Sequence, residues 1–300
     1  MQGVEEVAGL EAAREKRHGF SYALVAVLLF ASSAVLVLYA DPVPAIEKTF
    51  WRMVVASGFV YALLKWRGSS IAIKRPDWSR FAAYGLIAAL HFTLYIASLN
   101  FTSPAHALTI VYTSPIFVTV FSAVFLRENI RRRKWVGIGI AAIGVAVLAG
   151  FEPALSWQMI VGDLMALGSA LAFGLYSIAG RRERHNYSLL SYACGVYSFA
   201  AMWLLPVAIF SFLSGAGVSN YSLWPILAII GLGVGPLGIG HTLYNAGLRR
   251  LHATYVNIIA TQEVTFGILL TWLLFNKPPT LNSIEGAAIT LAGILLVLLG

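Results

Sequence analysis

Long apolar runs follow one another along almost the whole chain, and this feature constrains the fold more than any other. A helix needs about 20 consecutive apolar residues to cross the hydrocarbon core of a bilayer. Runs of about this length cover residues 20–39, 45–64, 79–99, 104–126, 134–150, 159–180, 188–213, 223–248, 253–275 and 283–299. The sequence therefore predicts an all-α integral membrane protein with ten transmembrane helices.

The composition excludes a soluble domain. Hydrophobic residues occupy 59% of the 300 positions and charged residues only 11%, which is more apolar surface than a soluble fold can bury. The single cysteine, Cys194, lies within an apolar run, so neither a disulfide framework nor a thiolate metal site is expected. The spacing of the His and Glu residues singles out no metal, and no cofactor is expected.

Basic residues alternate between the two predicted sides of the membrane. One side collects 18 of the 21 lysines and arginines, within residues 14–17, 65–80, 127–134, 181–184 and 249–250. Short basic loops remain on the cytoplasmic side during insertion. Both termini are therefore predicted to be cytoplasmic, in the inner membrane of a bacterium, which requires an even number of spans.

Two further expectations follow from this charge pattern. Residues 1–18 are expected to form a cytoplasmic N-terminal segment, of which residues 1–16 are polar and are expected to lack ordered structure. The net charge of +8 is explained by topology and by contact with the headgroups of the lipid bilayer, and no nucleic-acid partner is expected.

The second half of the chain repeats the first. Residues 90–149 match residues 239–298 at a constant shift of 149 positions. Each copy has an odd number of predicted spans, so the second copy must cross the membrane in the opposite direction. Residues 19–150 and 151–300 are therefore predicted to be two inverted repeats of five helices, an architecture typical of secondary transporters.

Glycines recur at matching positions of the fifth and tenth predicted spans. They are Gly137 and Gly144 in the first copy and Gly286 and Gly293 in the second. A seven-residue spacing keeps each pair on one helical face, where a neighbouring backbone can approach closely. These glycines are predicted to be packing positions.

The end of the fourth span carries a family resemblance. Pro115 is followed by an apolar stretch to Phe125, by Arg127 and Glu128, and then by basic residues and Gly137. This pattern resembles the EamA unit, two of which make the ten-helix members of the drug/metabolite transporter superfamily. The second copy departs from the pattern, with Val264 and Lys277 in place of Pro115 and Glu128.

Among bacterial members the chain is most similar to amino-acid and metabolite exporters of the YddG type. The resemblance implies export of small metabolites, with neutral or aromatic amino acids as the expected substrates. It also implies that the first helices of each copy help to line a central cavity. A monomer is compatible with this fold, and the sequence leaves the oligomeric state open.

Polar side chains within the spans are the candidate substrate-binding residues, because a polar group in the membrane is costly unless it faces the bundle interior or a wet cavity. Taken singly, each also fits a hydrogen bond between neighbouring helices. Matching sets in both copies favour a shared polar cavity. The candidates are His91, Tyr95, Tyr112, Ser114, Tyr244 and Glu263.

Glu263 is the sharpest of these candidates, because it lies about halfway through the ninth span. It could accept a substrate ammonium or a coupling proton, or it could be a protonated carboxyl that donates to a neighbouring helix. Arg52 also has two interpretations. In the favoured one, it pairs with Glu47 five residues earlier. In the other, it turns inward and binds a substrate carboxylate.

Two aromatic residues of the sixth span, Phe173 and Tyr176, complete the candidate site. Small residues surround them in the sequence, including Ser169 and Gly174. Given the resemblance, they could form an apolar wall for a substrate side chain. Packing within the core explains them equally well.

The function predicted from the sequence is secondary transport by alternating access. Zinc-protease, phosphate-loop and serine-nucleophile signatures are missing from the sequence, so an enzyme is not expected. The alternatives are an uptake or exchange transporter for another metabolite and, from a different class, a membrane-embedded enzyme.

Overall fold

The computed structural model describes residues 2–98, 100–102, 107, 110–127, 129–149, 156–215, 221–275 and 281–299. Regular structure in these residues is helical throughout, which confirms the predicted all-α class. The helices are α1 (Gln2–Tyr39), α2 (Ala45–Trp66), α3 (Trp78–Ser98), α4 (Ser114–Phe125), α5 (Arg132–Ala149), α6 (Trp157–Arg182), α7 (Leu189–Ser214), α8 (Leu223–Arg250), α9 (Ala253–Ala260), α10 (Glu263–Phe275) and α11 (Leu281–Leu299).

Five helices of the described residues are long and apolar enough to cross a membrane. They are Ala13–Val37 of α1, Arg75–Ser98 with α3, Trp157–His185 with α6, α7 and α8. Two shorter apolar helices are α4 and Ile284–Leu296 within α11. Helix α2 is also long, at 22 residues, but it includes four charged side chains: Glu47, Lys48, Arg52 and Lys65. The count of ten transmembrane helices stays a prediction.

The beginning of the chain is a helix, so the prediction of an unordered N-terminal segment is wrong. Helix α1 runs without interruption from Gln2, since Ala, Glu, Lys and Arg dominate its first turns and favour a helix. The guanidinium of Arg250 lies 2.9 Å from Glu15 and 5.0 Å from the centre of the Tyr22 ring. These contacts join the beginning of α1 to the end of α8.

Each repeat contains a broken helix, and the breaks lie at matching positions. The ninth predicted span is two helices, α9 and α10, separated by Thr261 and Gln262, whereas a single helix was expected. The counterpart in the first copy is the turn at residues 112–113 just before α4. The hydroxyl of Thr113 donates to the Ile110 carbonyl at 2.7 Å, and that of Thr261 donates to the Ile258 carbonyl at 2.6 Å. Such back-bonding competes with helical hydrogen bonds and bends helices.

Residues 104–106 and 108–109 of the fourth predicted span lie outside the described residues. Helix α4 begins at Ser114 with Pro115 in its first turn, where the missing N–H of proline costs no helical hydrogen bond. Helix α10 begins at Glu263. Because 114 and 263 are repeat partners, the two breaks place the first residue of α4 and of α10 at equivalent positions.

Helix α8 contains a π-helical segment, Gly233–His241, that the sequence did not predict. Pro236 lies inside it, and π-helical turns and prolines are common causes of a locally altered helix. A Cβ atom added at Gly233 would lie 2.5 Å from the Val55 side chain, so glycine permits the close approach of α2. The segment ends at His241, whose side chain is buried.

The contact between α5 and α11 shows the symmetry of the two repeats. A Cβ atom added at Gly144 would meet the backbone of Thr290 and the Gly286 carbonyl, and one added at Gly293 would meet the backbone of Ala141 and the Gly137 carbonyl. Each contact is the repeat image of the other. The residue numbers rise on one helix as they fall on the other, so the helices cross antiparallel, as inverted repeats require. The predicted close approach is confirmed for Gly144 and Gly293, and the carbonyl oxygens of Gly286 and Gly137 face them across the contact.

Alanine at Gly144 should destabilise the protein. The new methyl group would lie 2.8 Å from the Gly286 oxygen and press on the Thr290 backbone, and overpacking of this kind costs about 1–3 kcal/mol. The matched control is Gly139→Ala on the same helix, because nothing lies within 4 Å of its added Cβ. Thermal unfolding of the detergent-purified proteins would contradict the packing role if both variants melted like the wild type.

Candidate functional site

A small internal cavity lies between the two repeats. Its volume of about 50 Å³ holds a few water molecules, since one water needs roughly 10–15 Å³ on this measure. An amino acid does not fit unless the surrounding helices separate. The lining residues come from both copies and are Phe30, Ser33, Arg52, His91, Phe92, Tyr95, Val111, Tyr112, Ser114, Phe173, His241, Ala260 and Glu263.

Six of the eight predicted site residues line this cavity: His91, Tyr95, Tyr112, Ser114, Phe173 and Glu263. The other two, Tyr176 and Tyr244, are buried behind the lining. Their ring centroids lie 6.1 Å and 5.4 Å from that of Phe173, in stacked arrangements. The structure thus brings six predicted side chains to one cavity, while their binding role stays a prediction.

Arg52 turns inward, towards the cavity. Its side chain is buried, its Nε atom has no hydrogen-bond partner among the described residues, and its guanidinium carbon lies 4.5 Å from the centre of the Phe92 ring. The carboxylate of Glu263 acts on it electrostatically. Of the two readings left open by the sequence, the geometry therefore supports the inward one.

Glu47, the alternative partner, belongs to a different cluster between α2, α7 and the segment before α8. Its carboxylate accepts hydrogen bonds from Ser211 at 2.9 Å and from Tyr221 at 2.6 Å. Burial raises the pKa of the Tyr221 hydroxyl to about 12, and the hydrogen bond to Glu47 acts in the same direction. Tyr221 is therefore a proton donor to Glu47 at neutral pH.

Glu263 lines the same cavity and carries the charge opposite to that of Arg52. Its carboxylate is hydrogen-bonded to the Tyr112 side chain and interacts electrostatically with Arg52. The helix break positions it, because Glu263 is the first residue of α10. Because Arg52 is buried and Glu263 is partly buried, opposite charges in one cavity offset part of the cost that each would have alone.

His91 is held in place by α6. Its Nδ1 atom lies 3.1 Å from the carbonyl oxygen of Ser169, and the Ser169 hydroxyl donates to the His91 carbonyl at 2.9 Å. Because a carbonyl only accepts, Nδ1 carries the proton, and Nε2 of the neutral ring is the acceptor. The ring stacks on Phe173 with centroids 4.7 Å apart.

A chain of hydrogen bonds links the repeats beside the cavity. The Ser114 hydroxyl donates to Asn257 at 3.3 Å, Asn257 donates to the Tyr244 hydroxyl at 3.3 Å, and the Tyr244 and Ser177 oxygens are 2.6 Å apart. The side-chain amide of Asn245 donates a hydrogen bond to the hydroxyl of the neighbouring Tyr176 at 2.7 Å. For Tyr176 and Tyr244, the geometry therefore favours hydrogen bonding between helices over direct contact with a substrate.

Two lining residues, Phe92 and His241, were not among the predicted binding residues. They are repeat partners at the shift of 149 positions, and their rings lie edge to face with centroids 4.9 Å apart. The Phe30 ring also packs against His241, tilted by 36° with centroids 4.3 Å apart. The repeat alignment contained the signal for this pair, because it places an aromatic ring at the same position of both copies.

Comparisons with known proteins agree with this architecture. The chain is 25% identical over 257 residues to a protein of Ancylobacter novellus named aromatic amino acid exporter YddG, covering 82% of this chain and 84% of that protein. It is 24% identical over 275 residues to a Pseudomonas aeruginosa protein named pseudopaline exporter CntI, covering 90% and 89% of the two chains. A solved crystal structure has the same fold, with a TM-score of 0.78, 22% identity, and coverage of 96% of this chain and 97% of that one.

A family match covers nearly the whole length of the chain. The EamA-like transporter family matches residues 17–150 and, a second time, residues 160–299. The two matches correspond to the two copies found in the sequence repeat and to the paired helix breaks. This chain therefore belongs to the EamA-like transporter family, and it is built from two copies of the family's unit.

Proposed function

We propose that this protein exports small amphiphilic metabolites, most readily neutral or aromatic amino acids, across the bacterial inner membrane. The observation that supports this proposal is the cavity between the repeats, which combines aromatic walls with one charge of each sign, the buried Arg52 and the partly buried Glu263. The direction of transport follows the names of two relatives, the aromatic amino acid exporter and the pseudopaline exporter.

Alternating access explains how a substrate enters so small a cavity. The helix breaks at residues 112–113 and 261–262 lie directly beside lining residues of both copies. Inverted-repeat transporters typically form their site near the membrane midplane from discontinuous helices, and one repeat rocks against the other around that site. Bending at one break would open the cavity to one side, and bending at its repeat partner would open it to the other.

Flux in proteoliposomes tests the proposal. Vesicles loaded with labelled phenylalanine, tryptophan or alanine should lose label faster than protein-free vesicles, and an excess of unlabelled phenylalanine should slow this loss. Flux that occurs only in exchange for an external substrate would favour the exchanger, and a chemically altered product would favour an enzyme. Equal loss from vesicles with and without protein, for the whole panel, would contradict the proposal.

The proposed topology has its own test. Both termini are expected in the cytoplasm, with the loops near residues 40–47, 150–157, 215–222 and 276–282 outside. Single cysteines at residues 130 and 216, in a background with Cys194 replaced, should react differently with a membrane-impermeant thiol reagent in intact cells. Labelling at 216 and protection at 130 is the expected result, and the reverse pattern would overturn the orientation.

A further inference from the structure

Two opposite charges, Arg52 and Glu263, face one cavity from different repeats. We propose that they form a two-pole receptor for the backbone of a zwitterionic amino acid. The guanidinium of Arg52 binds the α-carboxylate, and the carboxylate of Glu263 binds the α-ammonium group. This inference rests on the proposed function and specifies how the site distinguishes an amino acid from a plain amine or acid.

In the described part of the chain, Arg52 is buried and lacks a hydrogen-bond partner for one of its donors, which makes it a candidate to bind a carboxylate. The side chain is only 3% exposed, and its Nε atom lacks a hydrogen-bond partner among the described residues. A buried donor of this kind is costly to leave unpaired. Arginine presents a rigid planar fork of donors that matches a carboxylate through two parallel hydrogen bonds. A carboxylate in the cavity therefore provides the hydrogen-bond acceptor that the Nε donor of Arg52 lacks within the described ranges.

The ring of Phe92 lies beside this fork. The guanidinium carbon lies 4.5 Å from the ring centre, within the range of a cation–π contact. An aromatic ring does not provide the hydrogen-bond acceptor that the Nε donor lacks in the part of the chain that the structure describes. That donor therefore stays available to the carboxylate of a ligand.

Glu263 has room for a second partner. Its carboxylate is hydrogen-bonded to Tyr112, while a carboxylate offers about four acceptor sites on its two oxygens. An ammonium group brings three donors and no acceptor. Binding of the substrate ammonium at Glu263 therefore adds to the Tyr112 hydrogen bond and need not replace it.

The two poles also explain selectivity by charge. When substrate is bound, each of the two charges has an opposite charge beside it, and between transport events Arg52 and Glu263 interact electrostatically across the same cavity. A decarboxylated amine would leave Arg52 unpaired next to a second cation. A deaminated acid would place a second anion beside Glu263. Both analogues are rejected by repulsion as well as by the loss of a contact.

Binding to purified protein tests the receptor with three probes: phenylalanine, phenethylamine, which lacks the carboxylate, and 3-phenylpropionate, which lacks the ammonium. The wild type should bind phenylalanine at least about tenfold more tightly than either analogue, because a site built for a polar group discriminates strongly against its absence. Arg52→Gln should lose this preference and favour phenethylamine. Glu263→Gln should favour 3-phenylpropionate, and Arg52→Lys should retain phenylalanine binding in part.

Exposed charges provide matched controls. Arg67→Gln at the end of α2 and Glu285→Gln on α11 remove the same charges from exposed positions, and both should keep the wild-type preference. The double variant Arg52→Gln/Glu263→Gln leaves neither charge alone, so it is available if a single variant fails to fold. It should bind all three probes with similar, weak affinity.

The outcomes separate the receptor from the proposed function. Phenylalanine binding without flux would support the receptor and contradict export. Phenylalanine flux together with an unchanged preference in Arg52→Gln, or in the double variant, would overturn the receptor and leave export standing. A wild type that binds phenylalanine no better than its two analogues would overturn the receptor as well.

Discussion

Glu263→Gln should lower amino-acid efflux per folded molecule by at least about tenfold, and Tyr244→Phe should leave efflux per folded molecule nearly unchanged. Glu263 lines the cavity and interacts electrostatically with Arg52, so the amide removes the charge that we assign to the substrate ammonium. Tyr244 lies outside the lining and bonds to Ser177 at 2.6 Å and Asn257 at 3.3 Å. Its loss should instead cost stability, about 1–3 kcal/mol for buried groups left unpaired.

A second substitution separates stability from transport at Glu263. Glu263→Gln also removes the counter-charge of Arg52, so the melting temperature should fall. Adding Arg52→Gln removes the unpaired cation, and the double variant should regain stability without regaining flux. Regained stability without regained flux would show that Arg52 and Glu263 are coupled energetically and that both are also needed for transport. Recovery of flux along with stability would assign the pair a structural role only.

The positions of the helices could be predicted from the sequence because membrane spans are dictated by length and apolarity. The interruptions could not. In the first copy Pro115 marks the break before α4, but Val264 stands at the matching position of the second copy. There the break coincides with the side chain of Thr261, whose hydroxyl bonds to the Ile258 carbonyl. A single threonine in an apolar run is too common to predict such a break.

The direction of Arg52 could have been predicted more sharply. Glu47 and Arg52 are five residues apart on one helix, which separates their side chains by about 140° around the axis at 100° per residue. They therefore point to different faces of α2. One reaches Ser211 and Tyr221, and the other reaches the cavity. Helical geometry thus disfavours the pairing that was first preferred.

Tyr95 and Tyr244 show the limit of arguing from a repeat. The constant shift makes them equivalent, yet Tyr95 lines the cavity and Tyr244 does not. The difference comes from their neighbours, because Ser177 and Asn257 provide partners for the Tyr244 hydroxyl. A repeat alignment predicts position along a helix. The surroundings depend on side chains that the two copies no longer share.

Phe173→Ala should produce the largest loss of stability among the cavity residues. Phe173 is 8% exposed and stacks on His91 at 4.7 Å, on Tyr244 at 5.4 Å and on Tyr176 at 6.1 Å. Truncation of a buried phenylalanine typically costs about 3–5 kcal/mol, because packing contacts are lost and a cavity remains. Phe210→Ala on α7 is the matched control, since that ring is 72% exposed and its loss should change stability by no more than about 0.5 kcal/mol.

A milder variant, Phe173→Leu, distinguishes the two roles considered for Phe173, a wall of the substrate site and a packing element of the core. Phe173→Leu keeps an apolar side chain and should retain enough stability for transport measurements, at a cost of roughly 1–2 kcal/mol. A wall role predicts that the shorter side chain enlarges the cavity and raises efflux of tryptophan relative to phenylalanine. A pure packing role predicts a lower melting temperature with an unchanged ratio of the two fluxes. Because the ratio is measured on the same folded molecules, loss of protein cannot imitate a change in preference, and an unchanged ratio would exclude Phe173 from the substrate site.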